Sequence, residues 1–286
     1  MMRFGLIGTD SAHSVQFTRL LGSEVPGGRV VAAWQGPTVA GFPPSRDRND
    51  RLAAEVAALG VPLLPSPEAV AEACDALLIV ASDVRSHPGY LRRLSPYGKP
   101  VYVDTRFAPT RAQAAAMLRQ AGDCLVLAGS PKRFTPEFRH AVRDAGAWAD
   151  RIDLTGPLPS QPYHEVLAWY GVHLVDLAVA AFGPGCTKVD AVTDRVELSW
   201  ADGRSAVLSG PRTWGPVTRG RFLRGGRTRE FVIEAGERML VGLLDSIIHS
   251  CGTGTPNVAP EEILATVAIV ESAARSRARG EPVIMA

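Results

Sequence analysis

Several features that mark other protein classes are scarce or missing in this sequence of 286 residues. It has only four cysteines and no Cys-x-x-Cys pair, which argues against a zinc knuckle or redox motif and predicts small buried thiols. No apolar run approaches the roughly 18 residues of a membrane-spanning helix, so we expect no membrane partner. The apolar stretch at the N terminus is shorter than a secretory signal, which favours a cytoplasmic protein. A net charge of +2 argues against a nucleic-acid partner.

The first half of the chain alternates apolar runs with amphipathic segments. Buried strands are predicted from the apolar runs at 4–7, 29–34, 76–80 and 100–103. Helices are predicted at 14–21, 51–59, 90–94 and 110–121, the last capped by Thr110, with residues 36–50 as a loop. This alternation indicates βαβ units, so residues 1–123 are expected to form an α/β Rossmann domain with a parallel sheet.

The second half has the pattern of an α+β domain. Residues 189–200 alternate in polarity like one half-buried strand, and 205–209 return after a turn. Gly225-Gly226 lies between two further strand-like segments and predicts a hairpin. We therefore expect residues 124–286 to form a domain with an open, mostly antiparallel sheet. Its C-terminal helix, 260–279, could pack back on the first domain.

The loop after the first strand stands where a Rossmann domain binds pyrophosphate. The usual G-x-G-x-x-G pattern keeps only its first glycine here, in the segment Gly8-Thr9-Asp10-Ser11-Ala12-His13. Side chains at Asp10 and His13 would crowd a dinucleotide, and the carboxylate would repel its phosphates. The amides at the helix N terminus could still bind an anion. The alternative is a tight turn in which Asp10 or Ser11 caps the helix.

The end of the second strand lacks the acid that usually binds the adenosine ribose. Gln35 stands there instead and could donate a hydrogen bond to a ribose hydroxyl. Arg46, Arg48 and Arg51 follow and could bind a 2′-phosphate, which would favour NADP over NAD. The alternative is that these arginines are solvated loop residues.

Six segments carry a resemblance to a known family. They are Phe4-Gly5-Leu6-Ile7-Gly8, Asp75-Ala76-Leu77-Leu78-Ile79-Val80-Ala81-Ser82 with His87, Gly98-Lys99-Pro100-Val101-Tyr102-Val103-Asp104, Ser130-Pro131-Lys132-Arg133-Phe134, Gly171-Val172-His173-Leu174-Val175-Asp176 and Val258-Ala259-Pro260-Glu261-Glu262. In this order they resemble the glucose–fructose oxidoreductase and inositol dehydrogenase family (Gfo/Idh/MocA) over nearly the whole chain. The branch with G-x-D-x-x-H in its first loop is the most similar.

The resemblance implies a Rossmann domain, an open-sheet domain and NAD(P)-dependent oxidation of a sugar-like or polyol-like hydroxyl. It also implies a homo-oligomer, a dimer or a tetramer, that binds a small-molecule substrate. The implied cofactor-binding residues are Gly8, Thr9, Asp10, Ser11, His13, Gln35, Ser82 and His87. The implied catalytic residues are His173, Asp104, Thr105 and Arg106, and the substrate-binding residues are Arg133 and His173.

Two catalytic positions depart from the family pattern. Thr105 replaces the lysine that bridges substrate and cofactor, and Arg106 replaces the proline after it. Neither side chain offers a comparable acid or base at neutral pH. Trp169 stands where an aspartate would partner His173. These changes leave two alternatives: a lyase, hydratase or epimerase that uses His173, His13 or Asp104 as acid or base, and a silent homologue that binds a ligand or partner.

The sequence does not favour two other candidate sites, a metal site and an anion-binding cluster of arginines. No closely spaced set of histidines and cysteines supports a metal site, so none is expected. Seven arginines lie between Arg204 and Arg229. They could bind an anionic ligand or an acidic partner, but exposed strand faces protected against edge pairing explain them more simply.

Overall fold

The computed structural model describes residues 1–165 and 167–285 and divides into two compact units. The first comprises Met1–Gly129 and Leu243–Ala259, and the second Ser130–Gly242 and Pro260–Ala286. The sequence pattern places 243–259 in the second domain, whereas these residues group with the first unit. One physical reason is the hydrogen bond of 3.1 Å from the amide of Ala128 to Oδ1 of Asn257.

The first unit is built on a parallel sheet of five strands in the order β2-β1-β3-β4-β5. The strands are β1 (Met2–Ile7), β2 (Gly28–Trp34), β3 (Ala76–Ile79), β4 (Val101–Val103) and β5 (Val126–Leu127). A single parallel bridge between Ala33 and Leu63 adds the rudiment of a further strand beyond β2. Chain order therefore reverses between β1 and β3, and ligands of such sheets bind beyond the carboxyl ends of the strands at this switch point.

Six helices accompany this sheet. They are α1 (Ala12–Ser23), α2 (Pro43–Arg46), α3 (Asn49–Ala58), α4 (Pro67–Ala73), α5 (His87–Leu94) and α6 (Arg111–Ala121). Thr110 caps α6 as predicted, since its side chain accepts from the amide of Gln113. The stretch 36–50, predicted as a loop, contains α2 and the start of α3. Every residue of β3 is buried, which shows that both faces of the sheet are covered.

The second unit contains a sheet of seven strands in the order β11-β10-β6-β9-β8-β7-β12. The strands are β6 (Arg151–Thr155), β7 (Cys186–Asp190), β8 (Val196–Trp200), β9 (Ser205–Ser209), β10 (Val217–Arg224), β11 (Arg227–Glu234) and β12 (Val283–Ile284). The neighbours β6 and β9 are parallel and the other pairs are antiparallel. The expected fold class, a Rossmann domain followed by a domain with a mostly antiparallel sheet, is confirmed.

The hairpin predicted at Gly225-Gly226 joins β10 and β11, but the single strand predicted at 189–200 is wrong. That stretch holds the end of β7, a polar turn and β8, with Val189 opposite Leu198. The hydroxyl of Thr193 accepts from the amide of Arg195 and closes the turn. Polar turn residues keep the alternation of polarity, so periodicity alone could not find the break.

Helices cover one face of the second sheet. They are α7 (Pro136–Ala145), α8 (Val172–Phe182) and α10 (Pro260–Arg279), while α9 (Glu237–Thr253) precedes α10 in the chain. Inward side chains such as Leu154 and Phe222 form the core beneath them. Phe231 lies over Gly220 on the neighbouring strand, where a Cβ would come within 2.1 Å of its ring. No helix in the described part of the chain is long and apolar enough to cross a membrane.

Candidate functional site

The loop between β1 and α1, residues 8–11, lies at the switch point and is called the cradle below. Gly8 has a φ of +86°, and a Cβ there would lie 2.7 Å from that of Ala81, so only glycine fits this turn. The amides of Gly8 and Thr9 bond to carbonyls at the end of β2. The amides of residues 10–12 have no acceptor within residues 1–165 and 167–285. They leave the positive end of α1 available to an anion.

Asp10 is directed away from these amides and toward β3. Its Oδ1 accepts from the amide of Ser82 at 2.7 Å, and the Ser82 hydroxyl donates to the Asp10 carbonyl at 3.0 Å. This double link joins the ends of β1 and β3. Ser11, not Asp10, caps α1, because its hydroxyl accepts from the amide of His13. Gly8, Thr9 and Ser11 thus lie together at the cradle, with Asp10 and Ser82 bracing it.

A carboxylate does lie beside the end of β2, although none directly follows that strand in the sequence. Asp50, in the first turn of α3, accepts from Nε2 of Gln35 at 2.7 Å. The neighbouring Asn49 is buried and accepts from the hydroxyl of Thr9 at 2.7 Å. Sequence reasoning missed both residues, because no local pattern shows that α3 begins next to the cradle.

The three arginines considered for a 2′-phosphate all have partners within the chain. Arg46 pairs with Asp47, Arg51 pairs with Glu55, and Arg48 donates to the carbonyl of Pro44. Surface ion pairs of this kind break easily, so a phosphate could compete for them. Nothing in their present contacts favours NADP over NAD.

Asp104, at the end of β4, is paired with His13. Its Oδ2 lies 3.1 Å from Nδ1 of His13, and its Oδ1 accepts from the hydroxyl of Tyr102 at 3.1 Å and the amide of Thr105 at 2.8 Å. Burial alone would raise the pKa of this carboxyl, but the His13 imidazole, Arg106 and the Thr105 amide hold it well below its usual range. The structure therefore pairs His13, which the resemblance implies for cofactor binding, with Asp104, which it implies for catalysis.

The side chains of Thr105 and Arg106 both form hydrogen bonds to backbone carbonyls of the first unit. The Thr105 hydroxyl lies 3.3 Å from the carbonyl of Gly129 and is buried. A guanidinium nitrogen of Arg106 donates to the carbonyl of Ser82 at 3.0 Å. Arg106 thus supports the same turn that Asp10 holds from the other side.

His87 is fully buried beneath this turn. Its Nε2 lies 2.8 Å from the carbonyl of Ala81 and its Nδ1 lies 3.2 Å from the carbonyl of Phe107. Burial lowers the pKa of the imidazole. Its contacts tie the turn after β3 to the segment after β4.

In the second unit, His173 belongs to a polar network with Ser130. Nδ1 of His173 lies 2.8 Å from the Ser130 hydroxyl, and the Ser130 amide donates to Asp176 at 3.2 Å. Arg133 is buried and pairs with Asp176 at 3.2 Å and with Glu262 at 2.6 Å. Trp169, at the position where the resemblance implies an aspartate, is a buried core residue.

Lys132 is a buried cation that sequence reasoning missed. Only 4% of the residue is exposed, and its Nζ donates to the hydroxyl of Thr218 on β10. No carboxylate of the described residues forms an ion pair with it. Burial lowers its pKa to about 8. Lys132 belongs to the segment Ser130-Pro131-Lys132-Arg133-Phe134, and nothing in that segment indicates that the lysine is buried.

The arginine-rich strands carry paired surface charges. The pairs are Arg204–Asp202, Arg212–Asp194, Arg221–Asp153, Arg224–Asp150 and Arg229–Asp144. A groove of about 290 Å³ on the open face is lined by both signs of charge. This pairing fits solvated strand faces better than a dedicated anion site. In the part of the chain that the structure describes, no three histidine, cysteine or acidic side chains group as metal ligands do.

Neither a family model nor a curated protein matches the sequence, but solved structures match its fold. An oxidoreductase from Agrobacterium radiobacter in complex with NAD+, L-tartaric acid and magnesium has a TM-score of 0.79, with 16% identity over 99% of this chain and 98% of that one. Myo-inositol 2-dehydrogenase from Lactobacillus plantarum has a TM-score of 0.79, with 15% identity over 100% and 99%. UDP-N-acetylglucosamine 3-dehydrogenase from Acidithiobacillus ferrooxidans has a TM-score of 0.76, with 17% identity over 98% and 99%. The chain shares the two-domain fold of these oxidoreductases.

Proposed function

We propose that this chain is an NAD(P)-dependent oxidoreductase that acts on a sugar-like or polyol-like hydroxyl. The observation that carries the proposal is the cradle at the switch point, where the Gly8 turn leaves the amides of residues 10–12 open to a pyrophosphate. A solved structure of the same fold is a complex with NAD+. When bound, the nicotinamide would accept a hydride from the substrate.

The cofactor residues take distinct roles in this proposal. Gly8, Thr9 and Ser11 shape the pyrophosphate cradle, and Gln35 with its partner Asp50 binds the adenosine ribose. The remaining ones, Asp10, His13, Ser82 and His87, form or support the wall of the cradle between β1 and β3. Asp10 supports this wall, because its Oδ1 accepts from the Ser82 amide.

The substrate residues are proposed in the same way. Asp104 and His173 are candidates for proton handling and Arg106 for substrate orientation, whereas the buried Thr105 hydroxyl cannot replace a lysine as acid or base. The charge of Arg133 is already matched by Asp176 and Glu262, so we assign it to holding the His173 network rather than to direct substrate contact. We further propose assembly into a dimer or tetramer, which light scattering would measure.

Titration with NADH and NADPH tests the proposed function. Energy transfer from protein to nicotinamide fluorescence and the melting temperature are followed together, after bound cofactor has been removed. A ligand at 100 times its Kd that binds only the folded chain adds about 2.7 kcal/mol of stability. Saturable binding that Asp50→Ala weakens is the expected result. Absence of binding for both cofactors at millimolar concentration would exclude the oxidoreductase.

The pairing of His13 with Asp104 also favours a second candidate function. A histidine oriented by a carboxylate can move protons without a redox cofactor, as a lyase, hydratase or epimerase requires. This candidate predicts turnover of a hydroxylated substrate with no nicotinamide present. Proton exchange at a substrate carbon in deuterium oxide, in cofactor-free protein, would distinguish it from the oxidoreductase.

A further inference from the structure

His13 and Asp104 form a supported imidazole–carboxylate pair at the carboxyl ends of β1 and β4. We propose that His13 is the general base of the reaction and takes the role for which no lysine is present at Thr105. The proposal rests on the proposed oxidoreductase function and deepens it. It departs from what the resemblance implies for an oxidoreductase, in which His13 helps to bind the cofactor, and gives His13 the acid–base role that the sequence offered only for a non-redox enzyme.

The contacts of Asp104 determine which nitrogen of His13 carries the proton. Both carboxylate oxygens have partners: Oδ1 accepts from Tyr102 and the Thr105 amide, and Oδ2 faces Nδ1 of His13 at 3.1 Å. Since an ionised carboxylate only accepts hydrogen bonds, Nδ1 must donate. The lone pair of a neutral His13 then resides on Nε2, as in other bases that a buried aspartate orients.

The second ring nitrogen of His13 is available to a substrate. Nε2 has no hydrogen-bond partner among residues 1–165 and 167–285, and 20% of the side chain is exposed. The ring lies parallel to that of Phe17, with centroids 5.0 Å apart and planes 9° apart. Phe17 and Asp104 thus hold the imidazole from two directions, which reduces the entropy lost when a substrate is bound.

The other candidates near the cradle are less suited to accept a proton. Arg106 stays protonated and Thr105 is buried against the Gly129 carbonyl. Both ring nitrogens of His87 lie on backbone carbonyls. Among the titratable groups described around this cradle, His13 is the one that has both an oriented ring and a ring nitrogen without a hydrogen-bond partner.

The proposed step balances as an alcohol oxidation. The substrate O–H bond breaks, and the hydroxyl proton moves to Nε2 of His13. The electron pair of that O–H bond forms the C=O bond. The carbinol hydrogen leaves as hydride to NAD(P)+, the oxidant of the proposed function. Asp104 remains ionised and stabilises the imidazolium that forms.

A test that needs no substrate examines the His13 ring itself. In protein labelled with 15N-histidine, NMR is expected to show His13 with a protonated Nδ1 and an unprotonated Nε2 at alkaline pH, and Asp104→Asn should abolish this preference. Diethylpyrocarbonate should acylate His13 faster in wild type than in Asp104→Asn. His249→Gln, which removes an exposed histidine, is the matched control that identifies acylation outside His13. An Nε2-protonated ring, or equal acylation rates in both proteins, would overturn the proposal.

A second test separates this proposal from the proposed function. If wild type binds NADH or NADPH and oxidises myo-inositol, L-tartrate or UDP-N-acetylglucosamine, His13→Gln should lower kcat by about 10²–10⁴-fold with the Kd for the cofactor unchanged. A weakened Kd with normal kcat would reduce His13 to a cofactor ligand and overturn the proposal. If wild type binds neither cofactor, the oxidoreductase fails. The NMR result then still decides whether His13 is built as a base.

Discussion

At the scale of single residues, the surroundings of two buried groups favour different protonation states: the charged form of Asp104 and the neutral form of Lys132. Asp104 has hydrogen-bond donors on both oxygens, and its pKa lies well below the usual value despite burial. Lys132 has one hydroxyl partner, and burial lowers its pKa to about 8. The Asp104 carboxylate therefore stays charged and can orient His13. The Lys132 ammonium lowers the stability of the folded chain at any pH at which it is charged.

Replacing Lys132 with Met should stabilise the chain at neutral pH. Between pH 8 and 10 the unfolded chain, with an ordinary lysine, binds more protons than the folded one, so wild type should gain up to about 3 kcal/mol of stability as the pH rises through this range. Lys132→Met should lose this gain and exceed wild type in urea unfolding at pH 7. Lys188→Met, in the less buried β7 position, is the control. An identical pH dependence in wild type and Lys132→Met would contradict the prediction.

Gly8 provides a second prediction at this scale, with Gly60 as its matched control. Both have a φ of +86°, but a Cβ at Gly8 meets Ala81 at 2.7 Å while one at Gly60 has nothing within 4 Å. Gly8→Ala should lower the free energy of unfolding by about 1–3 kcal/mol more than Gly60→Ala, since it adds overpacking to the same backbone strain. It should also weaken NADH binding, which Gly60→Ala should leave intact. Equal losses in urea unfolding would show that the loop relaxes.

At the scale of elements, the ends of β1 and β3 are joined by side-chain contacts rather than by strand pairing. Asp10 and Ser82 exchange two hydrogen bonds beyond the last paired residues, Ile7 and Ile79. Together with Arg106, they hold the turn after β3 against the cradle. Asp10, whose side chain was expected to crowd a dinucleotide, thus links the ends of β1 and β3.

The Asp10 link can be tested by comparing two substitutions. Asp10→Ala removes the acceptor for the buried Ser82 amide and should cost about 1–3 kcal/mol of unfolding free energy. Asp10→Asn keeps an acceptor oxygen and should retain most of the stability. Urea unfolding of both variants measures the difference. If the two lose the same amount, negative charge rather than the hydrogen bond supports the turn.

At the scale of the whole molecule, hydrogen exchange can locate the effect of a nicotinamide cofactor. Saturating NADH should slow amide exchange in peptides that cover 8–13, because the unpaired amides of residues 10–12 would gain an acceptor. Gly8→Ala protein should show no such slowing under the same conditions. Mass spectrometry of quenched, digested samples gives the readout, and unchanged exchange in wild type would remove the cradle from the cofactor site.

Local patterns in the sequence were sufficient for the fold class and for most elements. Apolar runs, the Thr110 cap and the Gly225-Gly226 hairpin depend on neighbouring residues, and the structure confirms them. The break between β7 and β8 was missed, because turn residues there preserve the strand-like alternation. Likewise, no local signal shows that 243–259 groups with the first unit.

Only the tertiary structure decided how the candidate site residues are paired. His13 and Asp104 are 91 positions apart, and Lys132 and Thr218 are 86 apart, so no periodicity could relate them. Parallel strands bring the first pair together, because they end at the same edge of the sheet. The sequence determined which chemical groups are present. Packing decided that Asp104 orients an imidazole, that Asp10 braces a turn and that Lys132 is buried.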